Sequence, residues 1–483
     1  MSDNTKAKPS PTGGFKGSDL PPLVTNRPPR VLIAGAGLAG LFLGILLEKA
    51  GIPYEIFERS AQIRHLGAIM CLSPNILPAF EQLGLLDELL SFSKPSFGGV
   101  MLTDELKPIG KTVANANYSD FIGYDHVLFA RPELHDMLFN KIPKEKLHMS
   151  KKLLSFQQNQ EGVMLRFSDN TTIHGDILVG ADGAHSAVRQ HLYITLEKEG
   201  LLPKSDTKAM SKGYISLVGT TNALDPAMYP GLLNEESEAF YIIGDKDTPY
   251  TWVTFTIPGY RICWNVIIQL DIAEIANEQF RSSDWVPQQN QKTMDEIRHF
   301  KTPYGTMGDL FDATDVERVS KVYFEDMLFE TWNHGRTILI GDGMRNTLGA
   351  GAVNAMQDAV LLANHLYDIF PTSFENIKAA LTEYKEERFD AIKDQYPQSH
   401  INAKLIYGHT FYERVLRHVV FNWVPKSLQL KQLLKGTGYR PQANFLPQAP
   451  KRGTMDVIPQ RPSKRIEKEK KEAAKKELAA TAL

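Results

Sequence analysis

The chain has little cysteine. Cys71 and Cys263 are its only two in 483 residues, and they stand in no metal or redox spacing. That excludes a disulfide framework, fits a reducing compartment and leaves both thiols as small buried residues. An excess of one charge is missing too: 54 Lys and Arg face 56 Asp and Glu, a net of −2. No bulk field therefore points to nucleic acid. Long apolar runs are also absent. The nearest approach to a membrane span, Val31 to Leu47, is 17 uncharged residues interrupted by glycines, short of the ~20 a bilayer core requires. There is no apolar region of signal-peptide length, no Arg-rich transit pattern, and no basic middle residue in the terminal Thr481-Ala482-Leu483. Cytosol is the expectation.

What is present is ordinary for a soluble globular protein: 42% hydrophobic and 23% charged residues. The length predicts two domains plus extensions. Residues 1–29 carry six prolines with Gly, Ser and Lys and read as a disordered leader. From Arg461 onward, eight Lys or Arg accompany four Glu. The pairs Glu467 with Lys471 and Glu472 with Lys476 predict a solvated, partly helical tail.

The most informative stretch is Val31 to Ser60. Val31 to Ala34 suits a strand buried on both faces. Gly35 permits a tight turn, Gly37 a close approach of backbone amides to a pyrophosphate, and Gly40 and Gly44 close helix packing. The helix N-terminus that follows offers unpaired N–H groups to phosphates. Glu58 ends a second strand, Tyr54 to Phe57, 21 residues after Gly37, where a carboxylate can accept ribose hydroxyl protons. Strand, turn, helix, strand and acid in this order predict an ADP-ribose-type site.

Farther along, Pro74 to Leu90 reads as a helix and a second apolar turn, and Ala130 to Leu138 as a helix start with Pro132 and Glu133 in its first turn. Residues 206–325 turn β-rich. Arg261 to Leu270 puts Ile262, Trp264, Val266, Ile268 and Leu270 on one face, and Pro258-Gly259 joins it to the strand Tyr250 to Ile257. This block reads as an antiparallel sheet able to wall an apolar pocket, its Tyr and Trp residues core first and pocket lining second. His126, His185 and His334 read as structural or exposed.

Two further motifs name the cofactor. Asp176 to Arg189, DILVGADGAHSAVR, is a strand into an Asp-Gly turn and a helix. Gly335 to Asp342, GRTILIGD, is a buried strand ending in Gly-Asp, followed by Gly349 to Ala359, GAGAVNAMQDA. The order GAGLAG, VGADGAHSAVR, ILIGDG with GAGAVNAMQDA resembles the FAD-dependent monooxygenases of the para-hydroxybenzoate hydroxylase fold (group A), fungal members most of all, over residues 30–395. The resemblance implies an α/β protein: a Rossmann-like FAD-binding domain (30–205 and 326–395), an inserted, mainly antiparallel β substrate domain (206–325), a helical C-terminal extension (396–460) and the charged tail (461–483).

It implies roles as well. Gly35, Gly37, Gly40 and Glu58 would hold the ADP half of FAD, with Arg59 beside the ribose and adenine edge and Arg131 toward the diphosphate. Asp182 and Gly183 would line the cofactor crevice. Asp342 would accept a hydrogen bond from a ribityl hydroxyl, and the helix opening at Gly349 to Gly351 would aim N–H groups at the flavin N1–C2=O edge. The activity implied is hydroxylation or epoxidation of a small aromatic or terpenoid substrate with O2 through a flavin C4a-hydroperoxide. NADH or NADPH would act as a transient reductant, since no second dinucleotide fingerprint occurs. No metal is required, and no side chain is assigned as general acid or base. The alternatives are a flavin oxidoreductase without oxygen insertion and a non-catalytic flavoprotein.

One segment departs from the family pattern G-D-x-x-H-x-x-x-P-x-x-G-x-G. Here Gly341 to Gly351 reads GDGMRNTLGAG: the loop is shorter, Arg345 replaces the His, and the Pro is absent. In the extension, Tyr412, Val415, Leu416, Val419, Val420 and Trp423 fall at helical spacing. A helix packed on the flavin domain is the ordinary expectation, and a peripheral, interfacial membrane helix the less favoured one.

Overall fold

The computed structural model describes residues 26–63, 69–111, 118–208, 210–245, 250–270, 290–346, 351–393, 401, 403–408 and 410–481. Four short apolar runs form the centre of its first sheet. Val31–Ala34 pairs in parallel with Tyr54–Phe57 on one side and Ile177–Gly180 on the other. Ile177–Gly180 pairs in turn with Thr337–Leu339. Leu147–His148 and the antiparallel hairpin strand Asn333–His334 complete six strands. Parallel strands covered on both faces need no polar alternation, and Val31–Ala34 and Ile177–Gly180 are buried throughout.

The helix Leu38–Ala50 lies on this sheet beside Gly351–Tyr367. Close packing explains Gly44: a Cβ there would stand 2.9 Å from Ile56 Cδ1. Arg336 opens the Thr337–Leu339 strand fully buried, yet its guanidinium donates to the carbonyls of Asn159, Asp176 and Gln160. Those bonds tie the antiparallel strands Leu153–Gln158, Val163–Phe167 and Thr172–Gly175 to the parallel sheet. A buried cation is tolerable only when its donors are used in this way.

The second large sheet has eight strands. In spatial order they are Arg345–Asn346, Ser320–Leu328, Ser211–Thr220, Arg261–Gln269, Tyr250–Ile257, Ala239–Ile243, Val100–Thr103 and Pro108–Lys111. Two strands thus come from residues 100–111, ahead of the β-rich stretch. Trp252, Ile262, Trp264 and Val266 share one face, under Ile297, Phe300 and Phe311. The indoles are core: Trp252 Nε1 donates to Lys301 O at 2.8 Å and Trp264 Nε1 to Thr314 Oγ1 at 3.0 Å. The opposite face presents Val253, Phe255 and Cys263 to Leu128 and Ala130 of the strand His126–Ala130. Cys71 is exposed, unlike Cys263.

The stretch 74–90 forms two short helices, Leu77–Gln82 and Leu86–Ser91, because Gly84 takes φ +70° between them. In the extension, Phe411–Asn422 and Lys426–Thr437 are helices. The first differs from the ordinary expectation. Its apolar stripe is exposed and its buried residue is Arg417. Arg417 Nε donates to Leu405 O at 2.7 Å and Nη2 to Gly408 O. These are carbonyls at the end of the preceding helical turn, which a guanidinium caps and an aliphatic side chain cannot. The tail helix Lys464–Thr481 is exposed and held at its start, where Ser463 Oγ donates to Asp368 Oδ1 at 2.5 Å. Among the described residues no helix is long and apolar enough to cross a membrane.

Candidate cofactor site

In the parallel sheet, Ala34 is in register with Phe57 and with Gly180, and Gly180 with Leu339. Four strands therefore end together, and the segments that follow them open on one edge. A cleft of about 540 Å³ runs along that edge. Ligands of open α/β sheets sit at such carboxyl ends. Gly35, Gly37, Glu58, Arg59, Arg131, Asp182, Gly183, Asp342 and Gly351 all line it. Gly40 is beneath the cleft rather than on it. Gly349 falls outside the described residues.

The three fingerprint glycines meet different constraints. Gly35 has φ +106°, and a Cβ there would sit 2.5 Å from Ala181 O. At Gly40 a Cβ would be 2.1 Å from Gly35 O. Neither position admits a side chain in this backbone. Gly37 is free of such pressure, its nearest neighbour being Ala181 O at 3.9 Å. The need for glycine at 37 lies in the cleft it faces, not in the protein behind it.

Glu58 is held by the loop it serves. Its Oε2 accepts from Ala36 N at 3.0 Å and its Oε1 from Ser60 N at 2.9 Å. Ala36 O in turn accepts from Nε2 of His135, 2.9 Å away on the helix Arg131–Asn140. Burial holds His135 below its ordinary pKa, so the ring is neutral. A chain from His135 through Ala36 to Glu58 thus fixes the turn between the first strand and its helix.

Asp182 caps a helix. Its carboxylate accepts from Ser186 Oγ at 2.5 Å, Ala187 N at 2.7 Å and Val188 N at 3.2 Å. Burial raises its pKa, and those donors oppose the rise. Ser186 is the N-cap of Ala187–Lys198 and accepts from Arg189 N at 2.9 Å. Arg189 then reaches back: Nη1 donates to Gly343 O at 2.9 Å, Nη2 to Ala184 O, and the guanidinium lies over the Phe329 ring. The Asp-Gly and Gly-Asp segments are cross-linked by this one side chain.

Arg131 begins the helix Arg131–Asn140 and borders the cleft. Burial lowers its pKa, and the charge of Asp342 opposes that. Gly341 N donates to Asp358 Oδ2 at 2.9 Å, which fastens the Gly-Asp turn to the helix Gly351–Tyr367. Asp342 lies near that helix start, since a Cβ on Gly351 would be 3.3 Å from Asp342 Oδ1.

Motif reading passed over His135, Asp358 and Arg388, which support the cleft from behind. Lys151, Lys152 and Met70 on its wall were also missed. Asp358 falls inside the quoted GAGAVNAMQDA motif, an acid on an otherwise buried helix face. That was the available signal. Nothing in the local sequence marks the others. His126 is half-buried and pushed down to about 4 by burial, His185 is exposed at the cleft, and His334 is at the sheet edge. Among the described residues no cluster of three or more His, Cys, Asp or Glu is arranged for a metal.

The cleft fits FAD on its own features. Gly37 faces it without a side chain, a helix N-terminus and the half-buried Arg131 border it, and Glu58 and Asp342 both line it. Comparison with known proteins agrees. Residues 29–212 match the FAD binding domain family. An FAD-dependent monooxygenase of Penicillium shearii is 27% identical over 429 residues, covering 84% of this chain and 85% of its own length. Another, from Penicillium canescens, is 28% identical over 421 residues, 82% of this chain and 85% of its length. In fold, the chain is similar to Klebsiella pneumoniae HpxO solved with FAD and uric acid, at TM-score 0.68, 19% identity, and 85% and 97% coverage. It is also similar to the 2,6-dihydroxypyridine-3-hydroxylase of Arthrobacter nicotinovorans, at TM-score 0.64, 19% identity, and 80% and 95% coverage. With three ordered motifs on one cleft and fungal relatives along most of its length, the chain carries an FAD-binding domain and is similar throughout to fungal FAD-dependent monooxygenases.

Proposed function

We propose that the protein uses NADH or NADPH to hydroxylate or epoxidise a small aromatic or terpenoid substrate with O2. One observation carries the reading. The cleft lined by Glu58 and Asp342 adjoins an apolar cluster between the eight-stranded sheet and the strand His126–Ala130. Met70 and Arg131 on its wall directly follow Ile69 and Ala130, which pack with Val253, Phe255 and Tyr241. Such a region suits a largely apolar substrate and excludes water from the reacting face.

When bound, FAD supplies the oxygen chemistry. The residues of this chain bind, orient and shield. In this reading Gly35, Gly37, Glu58 and Arg59 receive the ADP half, and Arg131 neutralises the diphosphate. Asp182 and Gly183 border the crevice that admits the nicotinamide. Asp342 accepts from the ribityl chain, and the helix at Gly351 directs its N–H groups toward negative charge on the reduced ring. Gly40 keeps the fingerprint helix close beneath.

The test is oxygen-dependent NADH or NADPH oxidation by FAD-loaded protein across phenols and terpenoids, with products analysed by mass. Gain of one oxygen atom supports the proposal. Nicotinamide consumption with peroxide release and no oxygenated product would instead indicate an oxidoreductase without oxygen insertion. The departure from the family pattern at Gly343 to Gly349 is the feature favouring that second reading.

A further inference from the structure

Beyond the helix Lys426–Thr437 the chain runs back across the flavin domain as a strap without regular secondary structure. Side-chain amides of that domain bind the strap's backbone. Gln82 donates through Nε2 to Ala443 O at 3.1 Å and accepts at Oε1 from Ala443 N at 2.9 Å. Asn364 does the same one residue to either side, donating to Gln442 O at 2.9 Å and accepting from Asn444 N at 2.9 Å. Gln82 and Asn364 each present a donor and an acceptor as a neighbouring strand would, which lets an irregular segment bury its backbone groups. Asn75 has its Oδ1 taken by Ser73 Oγ at 2.8 Å, and it donates Nδ2 to Gly436 O at 2.7 Å and to Tyr439 O at 3.1 Å.

Tyr439 stands where this strap meets the brace behind the Gly341–Asp342 turn. Its carbonyl receives a long bond from Gln357 Nε2 at 3.4 Å, and its ring faces Arg388, whose Cζ is 5.5 Å from the ring centroid. Gln357 Oε1 accepts from Arg388 Nη2 at 3.0 Å, and Arg388 Nε donates to Asp358 Oδ1 at 2.6 Å. Asp358 Oδ2 then holds Gly341 N at 2.9 Å. The strap is thus joined to the turn through Gln357, Arg388 and Asp358, all three buried.

We infer that Tyr439 is a positioning residue for the flavin, acting through Arg388 and Asp358 on the turn that presents Asp342. An aromatic face steadies a cation that has been taken out of water, and Arg388 must stay charged and in place for Asp358 to keep Gly341. The role falls to a segment beyond residues 30–395, where the family resemblance ends. The inference rests on the proposed placement of FAD beside Asp342 and not on the reaction performed there.

The test is FAD titration of full-length variants, read by flavin fluorescence and by the visible absorbance bands of the bound cofactor. Tyr439→Leu should weaken FAD binding about fivefold and shift the bands. Tyr439→Phe keeps the ring against Arg388 and should restore both. Gln82→Leu cuts the bonds to Ala443, on the same strap but away from Arg388. It should lower the melting temperature and leave FAD affinity within about twofold of wild type. Should Tyr439→Leu not fold, Gln357→Met takes its place, since it removes the amide between Tyr439 and Arg388 with little change in volume and should shift the bands likewise. Asp342→Ala checks the placement itself and should weaken FAD about tenfold or more. Wild-type affinity in Asp342→Ala would sink the placement and the inference with it. Loss in Asp342→Ala beside wild-type affinity and bands in Tyr439→Leu would overturn the inference alone. Equal losses of affinity in Tyr439→Leu and Gln82→Leu would do the same, being the mark of a strap that only stabilises the fold.

Discussion

Asp358 and Arg388 form an ion pair of 2.6 Å in which both side chains are fully buried. Asp358 spends its other oxygen on the backbone N–H of Gly341. Arg388 Nη2 also donates to Asn354 Oδ1 at 3.1 Å and Gln357 Oε1 at 3.0 Å. Burial opposes the charge on Arg388, but Asp358, with Tyr439 and Tyr384 beside it, holds the guanidinium above its usual value. The pair joins the helix Phe374–Lys393 to the turn that presents Asp342.

Breaking that pair from one side should be severe. Arg388→Met leaves Asp358 a buried uncompensated charge and is expected to cost about 3–5 kcal/mol. Chemical denaturation reads the loss, and flavin content should fall with it because Gly341 is no longer fastened. A variant as stable as wild type would show that the pair is not needed to hold the turn.

The fingerprint glycines should separate fold from cofactor. Gly35→Ala and Gly40→Ala meet backbone oxygens and are expected to yield little folded protein. Gly37→Ala has room and should fold with a melting temperature near wild type when both are flavin-free. Its FAD affinity should nonetheless drop by tenfold or more, since the methyl group occupies the approach of the pyrophosphate. Fluorescence titration with FAD is the measurement, and unchanged affinity would remove Gly37 from the site.

Arg131→Met tests the diphosphate contact. Loss of a charge-assisted bond of about 1.5–3 kcal/mol predicts FAD binding weakened by roughly tenfold to a hundredfold. Arg131→Lys should restore part of it. Equal affinities for all three proteins would place the diphosphate elsewhere.

Acid should destabilise the protein through two histidines before carboxylates matter. Burial lowers His126 to about 4 and lowers His135 as well, both from 6.5. The unfolded chain therefore binds protons near pH 6.5 that the folded one refuses, so their stabilisation is full above that pH. It is lost as pH falls toward the folded values. Melting temperature is expected to decline between pH 6.5 and 4. His126→Phe should flatten the decline, and an identical pH profile would exclude His126 as its source. His135→Phe should also flatten it, and in addition weaken FAD binding through loss of the bond to Ala36.

Much of this was legible in order along the chain. Gly35, Gly37 and Glu58 stand on one local unit, where spacing translates directly into geometry: a strand, a turn and a helix have set lengths. The Trp252 and Trp264 faces were less decipherable, because alternation says which residues share a face but not which face meets the flavin domain. Helical spacing likewise identified the stripe Tyr412 to Trp423 and misjudged its direction. The opposite side was already claimed by Arg417 and its two carbonyls, partners that become neighbours only on folding.

The sequence by itself determined an ADP-binding unit and the elements that carry it, because those depend on contacts within a few residues, and the order of its three motifs supplied the resemblance that implied FAD. Only the tertiary structure decided that Arg189 ties Ala184 to Gly343, that His135 steadies Ala36, and that Asp358 and Arg388 brace Gly341. Each joins parts of the chain far apart in sequence. Burial then sets the strength of these contacts, since a charge or an N–H removed from water must find its partner inside the protein.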